Sequence, residues 1–252
     1  MSTLLEVKNL SKAYGVKKVV NGLKLHINEG EILGFLGPNG AGKSTTIKMI
    51  IEVETMDEGE ILYEGRRTKE EILLFKRSIG VVPQDIAVYE DISAYDNVKF
   101  FCSLYGYSGQ ELKKRTREAL EFVSLWDRRK DLPSKYSGGM RRRLNIACSI
   151  AHTPKLLIMD EPTVGIDPQS RNHIMESIRR LNEKGTTILY VSHYMEEIEA
   201  LCSRIIIIDH GVLIEDMDKE ILKQKYKERG CEGLEDIFLM LTGTQLRDGE
   251  GA

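Results

Sequence analysis

The sequence predicts an α/β fold with two additions, a small antiparallel sheet at the N-terminus and a helical subdomain inserted in the chain. Apolar and polar residues alternate through residues 5–10 and 23–27, beside Asn-Gly and Glu-Gly breaks, which is typical of antiparallel strands. Farther along, four short apolar runs predict buried strands, and helical patterns separate the last three. That alternation favours parallel strands with crossover helices. The four predicted strands are Ile79–Val82, Lys155–Met159, Thr187–Val191 and Ile205–Ile208.

A helical region is predicted over residues 91–129, where apolar side chains recur at helical spacing and strand signals are weak. The last part of the chain contains one amphipathic segment, Leu234–Leu241, and is predicted to be a short tail. We therefore predict a main domain over residues 1–220, a helical subdomain of about residues 88–150 inserted in it, and a tail over residues 221–252.

The composition excludes several classes of protein. Of the 252 residues, 41% are hydrophobic and only 6 are proline, which favours a buried core over a disordered or collagen-like chain. Because 36 basic residues face 39 acidic ones, no general attraction to nucleic acid is expected. The four cysteines form no C-x-x-C pair, which predicts a reducing compartment. No apolar run approaches the roughly 18 residues of a membrane span and no signal peptide is recognisable, so we expect a soluble intracellular chain.

A phosphate-binding loop is predicted after the buried strand Glu31–Leu36 and before a helix over Thr45–Ile51. The segment between them fits the pattern G-x-x-x-x-G-K-[ST]. Glycines let backbone N–H groups turn toward a polyphosphate, and the helix N-terminus adds its positive end. Lys43 is expected to reach the β- and γ-phosphates, and Ser44 to bind Mg²⁺ through its hydroxyl. The predicted binding residues of this loop are Gly37, Pro38, Asn39, Gly40, Ala41, Gly42, Lys43, Ser44 and Thr45.

Two further motifs point to phosphate chemistry. Asp160 ends a predicted strand and can hold Mg²⁺, directly or through water, and Glu161 is placed to polarise an attacking water. The segment Ser137–Gly139 opens a predicted helix and can bind an anion, although an ordinary helix cap is the commoner role of such a serine. The chain contains no N-K-x-D motif for guanine, which argues against a compact GTPase.

In their order along the chain, these motifs resemble those of the ATP-binding cassette (ABC) ATPases. The resemblance covers nearly the whole chain and implies a P-loop NTPase core of the RecA-like type. Beyond the phosphate loop, it is carried by Ser137-Gly138-Gly139, Asp160-Glu161-Pro162-Thr163, the D-loop aspartate Asp167 and Ser192-His193.

The resemblance also implies roles for single residues. Tyr14 is expected to stack on adenine, Gln84 to sense Mg²⁺ and the γ-phosphate, and His193 to act as the switch histidine. Each has a plainer alternative: a sheet-surface aromatic, an exposed loop amide and a structural histidine, respectively. The implied catalytic residues are Lys43, Gln84, Glu161 and His193; the implied Mg²⁺ ligands are Ser44, Gln84 and Asp160; Ser137, Gly138 and Gly139 complete the nucleotide site.

The function implied by the resemblance is Mg²⁺-dependent ATP hydrolysis that powers transport through a separate transmembrane permease. The implied ATPase partner is a second copy or a paired ATPase subunit in a head-to-tail sandwich, where each Ser137 helix end caps the ATP of the other subunit. No nucleic-acid partner is expected. The implied location is cytoplasmic, on the inner face of the cell membrane through the permease.

Some residues depart from the usual family pattern and favour one branch. Met140 stands where the signature usually has Gln, and Val164-Gly165-Ile166 precedes Asp167 where Ser-Ala-Leu is commoner. Together with Leu234–Leu241 and Arg247-Asp248, these variants resemble bacterial exporters of drugs, sodium or polysaccharides. An importer subunit, a soluble ABC ATPase of DNA repair or translation, and a regulatory module without turnover remain alternatives. The basic clusters at residues 113–115, 128–130 and 141–143 are predicted to be solvated helix faces, with a face toward anionic lipid or nucleic acid as the alternative.

Overall fold

The computed structural model of the protein describes residues 2–243, in which strands and helices alternate along most of the chain. The strands of this part are β1 (Thr3–Tyr14), β2 (Lys17–Asn28), β3 (Ile32–Leu36), β4 (Glu58–Tyr63), β5 (Arg66–Arg67), β6 (Ile79–Val82), β7 (Leu156–Asp160), β8 (Thr187–Val191), β9 (Arg204–Asp209) and β10 (Val212–Asp218). Its α-helices are α1 (Lys43–Ile50), α2 (Ile72–Ser78), α3 (Ala94–Leu104), α4 (Gly109–Phe122), α5 (Gly138–Ile150), α6 (Pro168–Glu183), α7 (Met195–Leu201), α8 (Lys219–Lys227) and α9 (Leu234–Thr242).

The chain forms two compact units. The first consists of the described parts of residues 1–75 and 189–252, and the second of residues 76–188. The predicted boundary between a main domain and a tail at residue 220 stays a prediction.

An antiparallel sheet with the strand order β2-β1-β4-β5 belongs to the first unit. Leu5 pairs with Ile27 and Val7 pairs with Leu25, and all four side chains are buried. Because side chains alternate between the faces of a strand, this register gathers the apolar residues on one face. The predicted N-terminal antiparallel sheet is therefore confirmed. β4 and β5 were not predicted, because residues 58–67 show no clear alternation.

The first unit also contains β10, β9, β3 and residues 189–191 of β8, which pair in the order β10-β9-β3-β8. β3 runs parallel to β9 and pairs Phe35 with Ile206. Every residue of β3 is buried, as expected of a parallel strand covered on both faces. The predicted strand at residues 205–208 is confirmed as β9, whereas the more exposed strand β10 beside it was not predicted.

The second unit combines a parallel strand pair with helices. β6 and β7 pair in parallel, with Ile79 opposite Leu156 and Val82 opposite Met159. α5 lies close to β6, since a Cβ built on Gly80 would stand 2.4 Å from the carbonyl oxygen of Ser149. The predicted helical region is confirmed: α3, α4, α5 and two short 3-10 turns fill residues 94–150, and residues 88–150 contain no strand.

Two boundaries differ from the predictions. The helix after the phosphate loop begins at Lys43 and not at Thr45. The C-terminal region contains α8 in addition to the predicted amphipathic helix, which is α9. α8 was missed because only Leu222 and Tyr226 of its nine residues are buried. Arg247 and Asp248 lie outside the described residues. Among the described helices, none is both long and apolar enough to cross a membrane.

Candidate active site

The phosphate loop joins β3 to α1 in the first unit. Gly40 and Gly42 have φ angles of +76° and +97°, in the left-handed region that favours glycine. A Cβ on Gly42 would stand 2.7 Å from the carbonyl oxygen of Val19, and one on Gly37 would stand 2.6 Å from that of Ile208. Side chains are therefore excluded from this loop by conformation and by space. The result is a turn whose backbone N–H groups can face an anion.

Lys43 is the first residue of α1 and is buried. Its ammonium group donates to the carbonyl oxygens of Gly37 at 2.6 Å and Pro38 at 3.1 Å. The cation is thus held against the loop itself, at the positive end of a helix. Ser44 beside it is exposed. The Lys43 cation, the exposed Ser44 and the glycine turn together suit a polyphosphate.

Tyr14 ends β1 in the first unit with 48% of its surface exposed. Its hydroxyl donates to Glu54 Oε2 at 3.2 Å, and Lys12 lies 2.9 Å from the other oxygen of Glu54. The hydrogen bond from Lys12 lowers the pKa of Glu54, so this carboxylate is an ionised acceptor. The ring is therefore anchored at its polar end, which suits a stacking role. Sequence analysis missed Lys12 and Glu54, because only the fold brings residues 40 positions apart together.

Glu161 and Gln84 meet in the second unit. Glu161 directly follows β7 and is buried, and Gln84 Nε2 donates to Glu161 Oε2 at 3.2 Å. The backbone of Glu161 has φ +48°, a left-handed conformation that costs a non-glycine residue roughly 1–3 kcal/mol. Asp160, the last residue of β7, is partly buried. The structure therefore joins two of the four predicted catalytic residues by a hydrogen bond.

The oxygen donors predicted for Mg²⁺ are of the kind that this ion prefers. Ser44 offers a hydroxyl in the first unit, and Asp160 and Gln84 offer carboxylate and amide oxygens in the second. Residues 2–243 contain no group of three or more His, Cys, Asp or Glu side chains that could hold a metal. Each of these donors is of a kind that Mg²⁺ accepts, since this ion takes few protein ligands and completes its shell with water and substrate phosphates.

The segment Ser137–Gly139 starts α5, in the second unit. Ser137 Oγ accepts a hydrogen bond from the backbone N–H of Met140 at 3.2 Å, so this serine does cap the helix. A Cβ on Gly139 would stand 2.1 Å from Ser170 Oγ and 2.5 Å from Ser170 Cβ, whereas a Cβ on Gly138 would meet only Ile166, at 4.0 Å. Packing within the chain therefore requires glycine at position 139 and not at position 138.

Asp167 caps α6 in the second unit and accepts a hydrogen bond from the backbone N–H of Ser170 at 3.0 Å. This hydrogen bond is the main cause of the lowered pKa of Asp167. The structure thus gives this residue a local role at a helix start, and its role as the D-loop aspartate stays a prediction.

His193 is exposed and lies just after β8, in the first unit. The turn that carries it is held by the fully buried Glu197, whose Oε2 accepts from Tyr190 Oη at 2.7 Å and from Ser192 Oγ at 2.8 Å. Ser192 Oγ in turn accepts from the backbone N–H of Tyr194 at 3.0 Å. Sequence analysis missed Glu197, which looks like one acidic residue among several on α7.

The prediction of a solvated face at residues 141–143 is wrong for Arg142, which is 3% exposed. Its Nη1 donates to the carbonyl oxygen of Pro83 at 2.8 Å and its Nη2 to that of Gln84 at 2.5 Å. Burial lowers the pKa of this guanidinium, an effect that Asp85 opposes. The missed signal was helical spacing, since Arg142 shares a face with the buried residues Asn145 and Ile146.

The basic cluster on α4 behaves as predicted. Arg115 lies 2.6 Å from Glu111, and Lys114 lies 3.9 Å from Glu118, each one helical turn away. Lys114 and both glutamates are largely exposed, so most of this cluster is a solvated helix face with its charges paired.

Comparison with known proteins places these features in one family. The family model described as "ABC transporter" matches residues 20–164. That range contains the phosphate loop, Gln84, the Ser137 helix and the Asp160-Glu161 pair.

Similar proteins match along most of the chain. The linearmycin resistance ATP-binding protein LnrL of Bacillus subtilis (strain 168) is 52% identical over 84% of this chain and 68% of its own length. Nod factor export ATP-binding protein I of Cupriavidus metallidurans is 38% identical over 93% of this chain and 77% of its own length. A solved dimeric structure of a post-hydrolysis state of an ATP-binding cassette, bound to ADP and Pi, matches with a TM-score of 0.77 and 28% identity. It covers 85% of this chain and 98% of that one.

The two signature glycines give a paired test of the packing at α5. Gly139→Ala should lower the free energy of unfolding by about 1–3 kcal/mol, because the new methyl group overlaps Ser170. Gly138→Ala should leave the stability unchanged or raise it by up to about 1 kcal/mol, because alanine is the better helix former. Both variants make the same chemical change on one helix, so urea denaturation of the pair isolates the steric cost. Equal stability of the two variants would contradict the close approach of α5 and α6.

Proposed function

The chain belongs to the ABC transporter family, and from this premise we propose that it binds and hydrolyses ATP to power export through a separate membrane permease. The observation that carries the proposal is the phosphate loop, in which left-handed glycines and the buried Lys43 precede α1. The names of its relatives, which specify resistance and export, favour an exporter over an importer or a DNA-repair ATPase. We infer that the cargo is a drug, an ion or a polysaccharide.

Binding of ATP depends on residues of the first unit. Backbone N–H groups of residues 37–45 and the Lys43 ammonium bind the β- and γ-phosphates, as charge-assisted hydrogen bonds to anions are strong. The ring of Tyr14 stacks on adenine, supported by the anchoring of its hydroxyl at Glu54. Ser44, Asp160 and Gln84 are the protein ligands proposed for Mg²⁺, which neutralises charge on the phosphate oxygens when bound.

Hydrolysis requires a positioned water and a proton acceptor. Glu161 polarises the attacking water. The oxygen of that water bonds to the γ-phosphorus, while the bond between the γ-phosphorus and the bridging oxygen, which leaves with ADP, breaks. The hydrogen bond from Gln84 fixes one carboxylate oxygen of Glu161 and thereby orients the carboxylate toward its proposed role. His193 contacts the γ-phosphate from a turn that Glu197 holds rigid.

The proposed active form is a head-to-tail dimer in which the Ser137 helix end of one subunit caps the ATP of the other. Gly138 supports this arrangement. The chain itself leaves room for a side chain at position 138. We therefore explain the glycine at this position by a close contact with a group from outside the chain. ATP then acts as an interfacial ligand, and hydrolysis releases the two subunits.

The proposed permease contact is an aromatic patch formed by Tyr89, Phe100, Phe101 and Leu104 in the second unit. Tyr89 lies edge-on to Phe100, with ring centroids 5.4 Å apart, and 6.0 Å from Phe101. Leu104 is 64% exposed, and Tyr89 and Phe100 are more than 40% exposed, which marks an apolar surface suited to a partner. The buried Asn97 holds this patch by hydrogen bonds to both backbone groups of Tyr89.

Lys43→Ala should weaken ATP binding and reduce hydrolysis at least about a hundredfold, since it removes the one side-chain cation of the loop. Lys48→Ala is the matched control, because Lys48 is exposed on the same helix and should not affect either property. Binding is measured by fluorescence titration with an ATP analogue and turnover by phosphate release. Normal turnover by Lys43→Ala would mean that the loop has been misinterpreted.

Glu161→Gln should keep ATP affinity and slow hydrolysis about 10²–10⁴-fold, because the amide is isosteric and cannot accept the proton. ATP would then persist between two subunits. Light scattering after size exclusion should show a dimer with ATP and a monomer with ADP.

Two further substitutions in the Glu161→Gln background test the composite site. Ser137→Arg and Gly138→Ala should both abolish the ATP-induced dimer, the second without loss of stability. A dimer that forms normally with either substitution would exclude the Ser137 helix end from the interface. Wild-type turnover by Glu161→Gln itself would instead refute the catalytic role of Glu161.

Coupling to the permease should pass through the segment Asp85–Asp91, which connects Gln84 to the aromatic patch. Single cysteines placed there should crosslink to the membrane partner, and Tyr89→Ser should reduce ATPase stimulation by the permease without changing the activity of the isolated chain. A cysteine at Glu235 on the exposed side of α9 is the control. Crosslinks that form only from α9 would place the permease elsewhere.

A further inference from the structure

A single helix of the second unit carries both the signature serine and the buried arginine. Ser137 caps the N-terminus of α5, and Arg142 lies five residues farther along the chain. The side chains differ in exposure, since Ser137 is exposed and Arg142 is only 3% exposed. The N-terminus of α5 is therefore exposed to solvent, while its second turn contacts the loop that contains Gln84.

The contact of Arg142 is matched to the shape of its side chain. Two nitrogens of its planar fork donate to the carbonyl oxygens of adjacent residues, Pro83 at 2.8 Å and Gln84 at 2.5 Å. A lysine could not reproduce this paired geometry with one ammonium group. Because a buried guanidinium without such partners would be costly, the loop backbone and the arginine fix one another.

The same loop controls the proposed base. The side chain of Gln84 reaches Glu161 Oε2 at 3.2 Å, while its own carbonyl is held by Arg142. Movement of the Gln84 backbone would therefore displace the amide that fixes the carboxylate. An unbroken series of contacts runs from α5 through Arg142 and Gln84 to Glu161.

We propose that Arg142 is a positioning residue for Gln84, which ties the signature helix to the Gln84–Glu161 pair within one subunit. This inference rests on the proposed function. A change in the position of α5, when its Ser137 end meets the ATP of the other subunit, is transmitted through Arg142 to the base of its own subunit. Hydrolysis in one site is thereby linked to occupancy of the other.

Arg143 provides a matched control on the same helix. Its Nη1 donates to the carbonyl oxygen of Val123 at 2.8 Å, in a loop without any of the proposed site residues. Arg143→Met therefore removes an arginine–carbonyl contact of the same kind from the same helix. A general effect of loosening α5 would appear in this variant too, whereas an effect through Gln84 would not.

The test uses the full chain and steady-state ATP hydrolysis. Arg142→Met should lower kcat about tenfold with the KM for ATP changed less than about twofold, and Arg143→Met should leave both near wild type. Arg142→Lys should lie between Arg142→Met and wild type. In a Gln84→Ala background, Arg142→Met should cause no further loss, because the residue acts through Gln84. Effects that multiply in the double variant, or equal losses for Arg142→Met and Arg143→Met, would overturn the proposal.

A second measurement does not depend on turnover. The side-chain amide signals of Gln84 in a proton–nitrogen-15 NMR spectrum, assigned by their loss in Gln84→Ala, should shift or broaden in Arg142→Met and stay in place in Arg143→Met. Unmoved signals would refute the positioning role even if the wild-type chain proved inactive, and inactivity of the wild type would refute only the proposed function. Should Arg142→Met fail to fold, Arg142→Lys gives the same two comparisons, because it retains the charge and loses the paired geometry.

Discussion

The burial of short parallel strands is the constraint on which the site depends. The interior of a strand that is covered on both faces holds apolar side chains. Polar side chains that bind ligands or take part in a reaction therefore lie at or after the end of the strand. β3 is followed by the phosphate loop and β8 by His193 in the first unit, while β6 is followed by Gln84 and β7 by Glu161 in the second. Because β6 and β7 are paired in parallel, their ends meet at one edge, which explains why Gln84 reaches Glu161.

The helix α5 shows how one element can meet several demands at once. Its first turn is capped by Ser137, its second glycine allows α6 to approach, and Arg142 holds the loop that follows β6. Ser137 at the start of this helix is exposed, whereas Gly139 and Arg142 are buried. A helix arranged in this way can respond at its outer end to a partner and act at its inner turn on its own chain. A loosely packed helix could not do both, because motion at one end would be lost before it reached the other.

Sequence patterns predicted what local chemistry determines. The strands Ile79–Val82 and Thr187–Val191 have the predicted bounds, since continuous apolar runs of that length have few other structures available. A glycine-rich turn was predicted between β3 and α1 and is found there, because Gly40 and Gly42 adopt left-handed conformations that favour glycine. What failed were features set by distant partners. Arg142 was assigned to a solvated face because its neighbours in sequence are charged, and β4 was missed because its strand character depends on pairing with β1. Similarly, Glu54 and Glu197 became recognisable only when the fold placed Tyr14, Tyr190 and Ser192 against them.

The distribution of charge explains why the site needs support from the carboxyl groups of Glu54 and Glu197 and from an arginine. Phosphoryl transfer asks the protein for orientation and electrostatic stabilisation, and little covalent chemistry. Lys43 is the one cation of the phosphate loop, and no arginine occurs among the proposed phosphate ligands. Orientation therefore has to come from rigidity. Glu54 anchors Tyr14, Glu197 holds the turn before His193, and Arg142 holds the backbone of Gln84. In each case a side chain outside the proposed nucleotide contacts removes freedom from a group proposed to act on the nucleotide, which is how a site with few cations can keep its geometry.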